Sequence, residues 1–350
     1  MLQVIAAIFI VIFFIPYTAS GFAACGKLFS SLFGVKYLTA MIISAIVIVA
    51  YTTLGGFLAA STTDFIQSII MSVALIVVLI FGVETAGGIG AVIHNASELP
   101  GYLSMTLSYD VNTGKAAPYS ALTIVSTAAW GLGYFGMPHI LLRFMAIEDE
   151  KKLKLSRRVA SVWVVIAMAM AVLIGIVGRA LSNTGLVDQL HGNDTETIIV
   201  RVAHLLSTYG AFPAIMAGLI LAGILASTMS TADSQLLAAA SSVSENILRE
   251  AFHLKISEKK SMLAARLTVI GIAILGIIIA RNPDSSVFGI VSFAWAGFGA
   301  AFGLDAAEIS NAAAVVGGVA GLVFALAGFF ACNAVVHSGR LKKWLKILLN

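Results

Sequence analysis

One apolar stretch of the sequence, from Ala226 to Gln235, carries many side-chain oxygens. Four of its hydroxyl residues recur at three- and four-residue spacing, which places them on one face of a helix: Ser227, Ser230, Thr231 and Ser234. Hard cations take oxygen ligands, and neutral hydroxyls and carbonyls can hold Na⁺ without the charge that would prevent its release. Small hydroxyl residues also let helices pack closely in a membrane. The spacing alone therefore leaves two interpretations open, a sodium site and a packing face.

Two further polar side chains interrupt apolar runs. A carboxylate is costly in lipid, so we expect Asp233 to face a polar interior or to lie near the cytoplasmic end of its helix. Tyr17 follows Pro16 in the first apolar run, and a buried tyrosine needs a hydrogen-bond partner, so it should face other protein. By itself Tyr17 is typical of an ordinary buried tyrosine.

The run from Trp130 to His139 combines three glycines, two aromatic rings and a proline. Its GxGxxG spacing follows no strand, which excludes a dinucleotide fingerprint. Pro138 should interrupt the helix, and interrupted helices expose backbone dipoles to solutes in transporters. Trp130 and Tyr134 lie one turn apart and would form a wall for a flat, partly apolar solute; the alternative is a kinked packing helix. His139 and Arg143 fit the cytoplasmic end of the span better than a proton relay.

Composition defines the broad class of protein. Of 350 residues, 59% are hydrophobic and 11% are charged, with a mean hydropathy of +1.00. A soluble domain is charged at about a quarter of its residues, so most of this surface does not meet water. Continuous apolar runs favour helices over a barrel. The sequence shows no metalloprotease, nucleophile-elbow or Walker motif, so we expect neither an enzyme nor a bound cofactor.

The prediction is an all-α polytopic membrane protein with about nine transmembrane helices. The spans lie near Leu2–Ala24, Leu38–Leu58, Phe65–Val83, Ala121–Phe144, Ala160–Leu181, Ala211–Leu237, Met262–Ala280, Val287–Gly303 and Ala312–Val336. Basic residues cluster in the loops at 151–158 and 249–260, which should be cytoplasmic under the positive-inside rule. Alternation then places the N-terminus in the cytoplasm. The net charge of +4 comes from such loops and does not indicate nucleic-acid binding.

Four segments carry a resemblance to a known family over residues 1–303: Thr53–Ala59, Trp130–Arg143, Ser230–Leu237 and Ser292–Gly303. The chain resembles the sodium:solute symporter family, and the run through Pro138 and His139 resembles its sodium/proline branch. The resemblance implies part of a LeuT-like core of inverted repeats in a bacterial plasma membrane. It also implies a secondary active transporter that takes up L-proline by alternating access, with Na⁺ as the coupling ion and the lipid bilayer as its surroundings.

Residue roles follow from the same resemblance. It implies that the hydroxyls of Ser230 and Thr231 bind Na⁺ and that Ser227 offers its backbone carbonyl. It implies a proline pocket lined by Tyr17, Trp130, Tyr134 and Pro138. Asp64 matches a family aspartate associated with sodium dependence, and Asp233 is a second candidate for sodium coupling. Met137 departs from the glutamine expected there, which leaves another small solute of the same family as an alternative.

Two departures from the family carry further expectations. The family has about three helices ahead of the segment that Met1 begins, and one of them completes both sites. Residues 304–350 form a divergent apolar segment and basic tail that would violate the positive-inside rule. Together these features count against transport by this chain alone, and they keep open as the alternative a shortened, frameshifted chain that is a non-transporting membrane fragment or accessory subunit.

Overall fold

Long apolar helices make up most of the computed structural model, which describes residues 2–110, 113–124, 137–253 and 257–302. The α-helices are α1 Leu2–Phe33, α2 Tyr37–Thr85, α3 Ile89–Ser97, α4 Pro138–Met145, α5 Leu153–Asn183, α6 Ile198–Ser207, α7 Ala211–Ser241, α8 Glu258–Ile279 and α9 Val287–Phe302. Short 3₁₀ turns cover Glu150–Lys152 and Gly192–Thr197, and a π-helical segment covers Ser242–Ala251. One hairpin pairs β1 Leu107–Asp110 with β2 Lys115–Pro118.

Six stretches of the described chain are long and apolar enough to cross a membrane, and Val287–Phe298 adds a shorter apolar helix. Their outward faces carry large exposed apolar side chains such as Leu54, Val165 and Phe212. Lipid can cover such faces, so the arrangement confirms a polytopic α-helical membrane protein. The predicted fourth span lies partly, and the ninth wholly, outside the described residues. The count of nine stays a prediction.

Helix α2 is long enough to contain two membrane-spanning stretches, which are separated by a bend. Gly56 lies at φ 63° and ψ −166° and bends the helix between the stretches Tyr37–Leu58 and Ala60–Thr85. A side chain would be strained in this conformation, so glycine is required at the bend. The sequence placed Asp64 just before the third span, whereas the structure places it within the second half of α2.

Helix α7 and its continuation reach further than the predicted span, which ended at Leu237. The α-helix runs to Ser241 and the π-helical segment follows it. Polar contacts lie along this extension: Arg249 pairs with Glu245, and Ser261 donates to the same carboxylate at 2.9 Å. Hydropathy marks only the apolar part of a helix, so it could not show this end.

Helix α1 lies at the centre of the packing and contacts α2, α7, α8 and α9. Close approach depends on small residues at two crossings. A Cβ on Gly297 of α9 would lie 2.0 Å from the ring of Phe13, and a Cβ on Gly223 of α7 would lie 2.8 Å from Ala74. Glycine therefore allows these helices to pack closely at both crossings.

The all-α prediction missed the hairpin between α3 and α4. Its strands pair antiparallel with Asp110 opposite Lys115, and Gly114 at φ 66° closes the turn. The sequence Asn112-Thr113-Gly114 was the available signal, since residues of these types favour tight turns. The hairpin lies in a loop and does not alter the helical core.

Glu196 joins three parts of the fold at one end of the bundle. Its carboxylate accepts from Lys27 of α1 at 2.7 Å and from Ser286 at 2.7 Å. It also accepts from the backbone amides of Val287 and Phe288, each at 3.1 Å, and so caps the N-terminus of α9. Burial alone would raise the pKa of Glu196, but these four donors lower it below its ordinary value.

We expect Glu196→Gln to lower stability at neutral pH by about 1 kcal/mol, since a charge-assisted cap and an ion pair are lost. Because the pKa of Glu196 is lowered in the fold, its contribution is complete above the ordinary pKa of 4.5 and disappears as pH falls through the lowered pKa. Melting temperatures of variant and wild type should therefore converge in acid. Glu98→Gln, at an exposed carboxylate paired with His94, is the control. A constant gap at all pH values would contradict the cap.

Candidate ion and solute site

Three neutral oxygen atoms of α7 lie close together. The hydroxyls of Ser230 and Thr231 both donate to the backbone carbonyl of Ser227, at 3.0 and 3.1 Å. The i−3 and i−4 geometry of a helix brings these groups together, as the spacing predicted. All three residues are partly exposed within the bundle. A small cation could bind the same three oxygens if the two hydroxyls, still protonated, turn their hydrogens away from the carbonyl.

One turn further along, Asp233 is fully buried and hydrogen-bonded. The hydroxyl of Tyr51 in α2 donates to its Oδ2 at 2.8 Å, and the hydroxyl of Ser234 lies 3.1 Å from its Oδ1. The expectation that Asp233 faces a polar interior is thus met. Tyr51 was not predicted, because the two residues lie 182 positions apart and no local spacing connects them.

Arg143 of α4 connects Asp64 to the same cluster. Its Nη2 donates to Oδ2 of Asp64 and, at 2.5 Å, to the hydroxyl of Ser234. Asp64 is mostly buried, and its Oδ1 has no hydrogen-bond partner within the described parts of the chain. The sequence assigned Arg143 only to the end of a span, although a charge inside an apolar run was already a signal.

We name Asp64, Asp233, Arg143, Tyr51 and Ser234 the charged cluster. With both carboxylates ionised, it carries two negative charges and one positive charge. An uncompensated charge is costly in a membrane interior, so one further positive charge would balance the cluster. The unpartnered oxygen of Asp64 is available to such a charge.

Tyr17 and Pro138 are the two members of the predicted solute pocket that the structure describes, and they lie in one aromatic region. Met137 is extended and α4 begins at Pro138, which is the interruption that the proline predicted. The ring of His139 lies 5.9 Å from that of Tyr17, and the ring of Trp295 in α9 lies 6.4 Å from that of Tyr17. Trp130 and Tyr134 lie outside the described residues. The sequence did not identify Trp295 or His139 as pocket residues.

A bundle of apolar helices with an interrupted helix, buried charges and converging hydroxyls defines the class of integral membrane transporters. The family model of the sodium:solute symporter family matches residues 1–304. The chain belongs to this family, a family of transporters rather than enzymes, as predicted.

Curated proteins that are similar to this chain are named as proline transporters. The chain is 39% identical over 303 residues to the osmoregulated proline transporter OpuE of Bacillus subtilis, covering 87% of this chain and 58% of that protein. It is 38% identical over 304 residues to sodium/proline symporter 2 of Staphylococcus saprophyticus, covering 86% of this chain and 56% of that protein. The chain thus spans less than two thirds of the length of these relatives.

A solved structure supports the fold. A Na⁺-coupled sialic acid symporter in a substrate-bound outward-open state superposes with a TM-score of 0.60 at 18% identity. The match covers 85% of this chain and 63% of that one. It confirms the predicted LeuT-like transporter core.

Proposed function

We propose that this chain takes part in Na⁺-coupled uptake of L-proline by alternating access. The convergence of Ser230 and Thr231 on the carbonyl of Ser227 carries the proposal, since it supplies neutral oxygen ligands inside an apolar bundle. The names of the relatives support both proline and sodium. Family membership supports secondary transport without a bound cofactor.

In this proposal Na⁺ contacts the Ser227 carbonyl and the hydroxyls of Ser230 and Thr231. The charged cluster lies directly beyond, because Ser234 donates to the carbonyl of Ser230 at 2.9 Å. A cation near Ser230 therefore meets the field of Asp233 and Asp64. Their excess negative charge favours cation entry, while the neutral first ligands keep release fast.

Proline suits the region around Tyr17 and Pro138. The methylene groups of its compact ring are apolar and can lie against aromatic side chains, while its ammonium and carboxylate groups need polar partners. Trp130 and Tyr134 belong to the proposed pocket through the family resemblance. Met137, fully buried beside Pro138, is where preference for another small solute could arise.

The loops rich in lysine and arginine support a cytoplasmic N-terminus in a bacterial plasma membrane. The sodium gradient across that membrane then drives uptake into the cell. Residues 305–350 fall outside the family match, and the assignment of residues 304–350 as a divergent tail stays a prediction.

Reconstitution of the full chain in proteoliposomes tests the proposal. An inward Na⁺ gradient should drive accumulation of labelled L-proline, and K⁺ should not replace Na⁺. Excess unlabelled proline should compete, whereas alanine and sialic acid should not. Sodium-driven uptake of a different solute would contradict the assignment of proline as the substrate. The absence of any uptake by correctly inserted protein would contradict the proposal that this chain transports.

A further inference from the structure

The imidazole of His139 lies inside the aromatic region of the proposed pocket. The centroid of its ring lies 5.6 Å from that of Phe14 and 5.9 Å from that of Tyr17, with interplanar angles of 65° and 75°. Phe14 is fully buried and Tyr17 nearly so, which makes this region apolar. His139 is thus a polar ring held edge-on between two aromatic rings.

Its Nδ1 atom is buried and finds no hydrogen-bond partner in the described parts of the chain. Buried polar atoms are almost always paired, so an unpaired one needs an explanation. A packing role does not supply one, because a phenyl ring would fill the same space without an orphaned nitrogen. A ligand that arrives in the pocket would supply the missing partner.

We propose that Nδ1 of His139 hydrogen-bonds the charged end of the bound solute and is a specificity-determining contact of this pocket. The inference rests on the proposed function, which places the solute beside Tyr17 and Pro138. A neutral imidazole can accept from an ammonium N–H or donate to a carboxylate, according to its tautomer. The aromatic rings then contact the apolar part of the same solute.

The location of His139 in α4 supports this assignment. It directly follows Pro138, where the chain changes from extended to helical, so the helix start fixes its position. Arg143 lies four residues later on the same helix face and contacts the charged cluster. One short helix therefore presents a polar atom to the aromatic region and a guanidinium to the cation region.

Three substitutions at His139 separate hydrogen bonding from packing. His139→Phe keeps the aromatic ring and removes both nitrogens, His139→Asn places an amide near the position of Nδ1, and His139→Gln places it near Nε2. We expect His139→Phe to weaken proline binding by about tenfold or more, since a hydrogen bond to a charged group is lost. His139→Asn should recover much of the affinity, and His139→Gln should not.

Equilibrium binding of labelled proline to the purified full chain in saturating Na⁺ gives the affinities, and melting temperatures without proline report the fold. If the wild type binds no proline, the proposed function itself is overturned. If the wild type binds and His139→Phe binds equally well, only the His139 contact is overturned. Equal recovery by His139→Gln and His139→Asn would overturn the assignment to Nδ1. If the melting temperature of His139→Phe is lowered, the proline affinity of His139→Asn is the test. An affinity close to that of the wild type supports the contact, and an affinity as low as that of His139→Phe refutes it.

Discussion

Replacing Ser230 and Thr231 together by alanine is expected to abolish sodium-dependent proline uptake. The double variant removes two of the three oxygens that converge at the Ser227 carbonyl. Losing two ligands at about 1–3 kcal/mol each corresponds to about a thirtyfold or greater loss of sodium affinity. Alanine favours helix formation, so α7 should remain intact.

Ser227→Ala is the matched control for this experiment. Its hydroxyl donates to the carbonyl of Ile224 at 2.8 Å and points away from the convergence, while its own carbonyl is kept by any residue. We expect near wild-type uptake from Ser227→Ala and a greatly raised half-saturating Na⁺ concentration in the two single variants at 230 and 231. Unchanged sodium dependence in the double variant would place the coupling ion elsewhere, most directly at the charged cluster.

The order of these sites along the fold suggests how ion and solute binding communicate. Ser230 and Thr231 share α7 with Asp233, and α7 packs against α1, which carries Tyr17. Helix α4 contacts both the aromatic region and the charged cluster, through His139 and Arg143. A cation that rearranges the contacts of Arg143 would shift α4, and with it the wall of the pocket. The solute would then make different contacts with and without the bound cation, and coupling between the two sites requires such a difference.

The sequence was sufficient for the helices and for contacts within one helix. Long apolar runs mark membrane spans strongly, and the convergence of Ser227, Ser230 and Thr231 depends only on helical periodicity. Proline also marked the start of α4 at Pro138, because its fixed φ and missing amide suit the first turn of a helix.

Contacts between distant helices could not be predicted in this way. Tyr51 and Asp233, or Arg143 and Asp64, meet only because α2, α4 and α7 pack together, and no spacing in the sequence encodes that packing. The same limit applies to Trp295, which joins the aromatic region from the far end of the chain. The Glu196 cap was missed because its donors come from α1 and α9.

Arg143→Gln should lower the stability of the chain. It leaves Asp64 and Asp233 as two carboxylates without a positive partner, and the net charge of the cluster falls from −1 to −2. Removing one partner of a fully buried ion pair costs about 3–5 kcal/mol. Arg143 is 39% exposed, which screens part of this effect, so about 1–3 kcal/mol is expected.

The double variant Asp64→Asn/Arg143→Gln returns the cluster to a single negative charge and should recover most of the lost stability. Melting temperatures of the detergent-purified chain, followed by tryptophan fluorescence, give the double-mutant cycle. Arg249→Gln is the control, since its pair with Glu245 is well exposed and should contribute little. A double variant that melts no higher than Arg143→Gln would mean that the Arg143 side chain stabilises the fold through packing and hydrogen bonding to Ser234, and not by balancing the carboxylate charge.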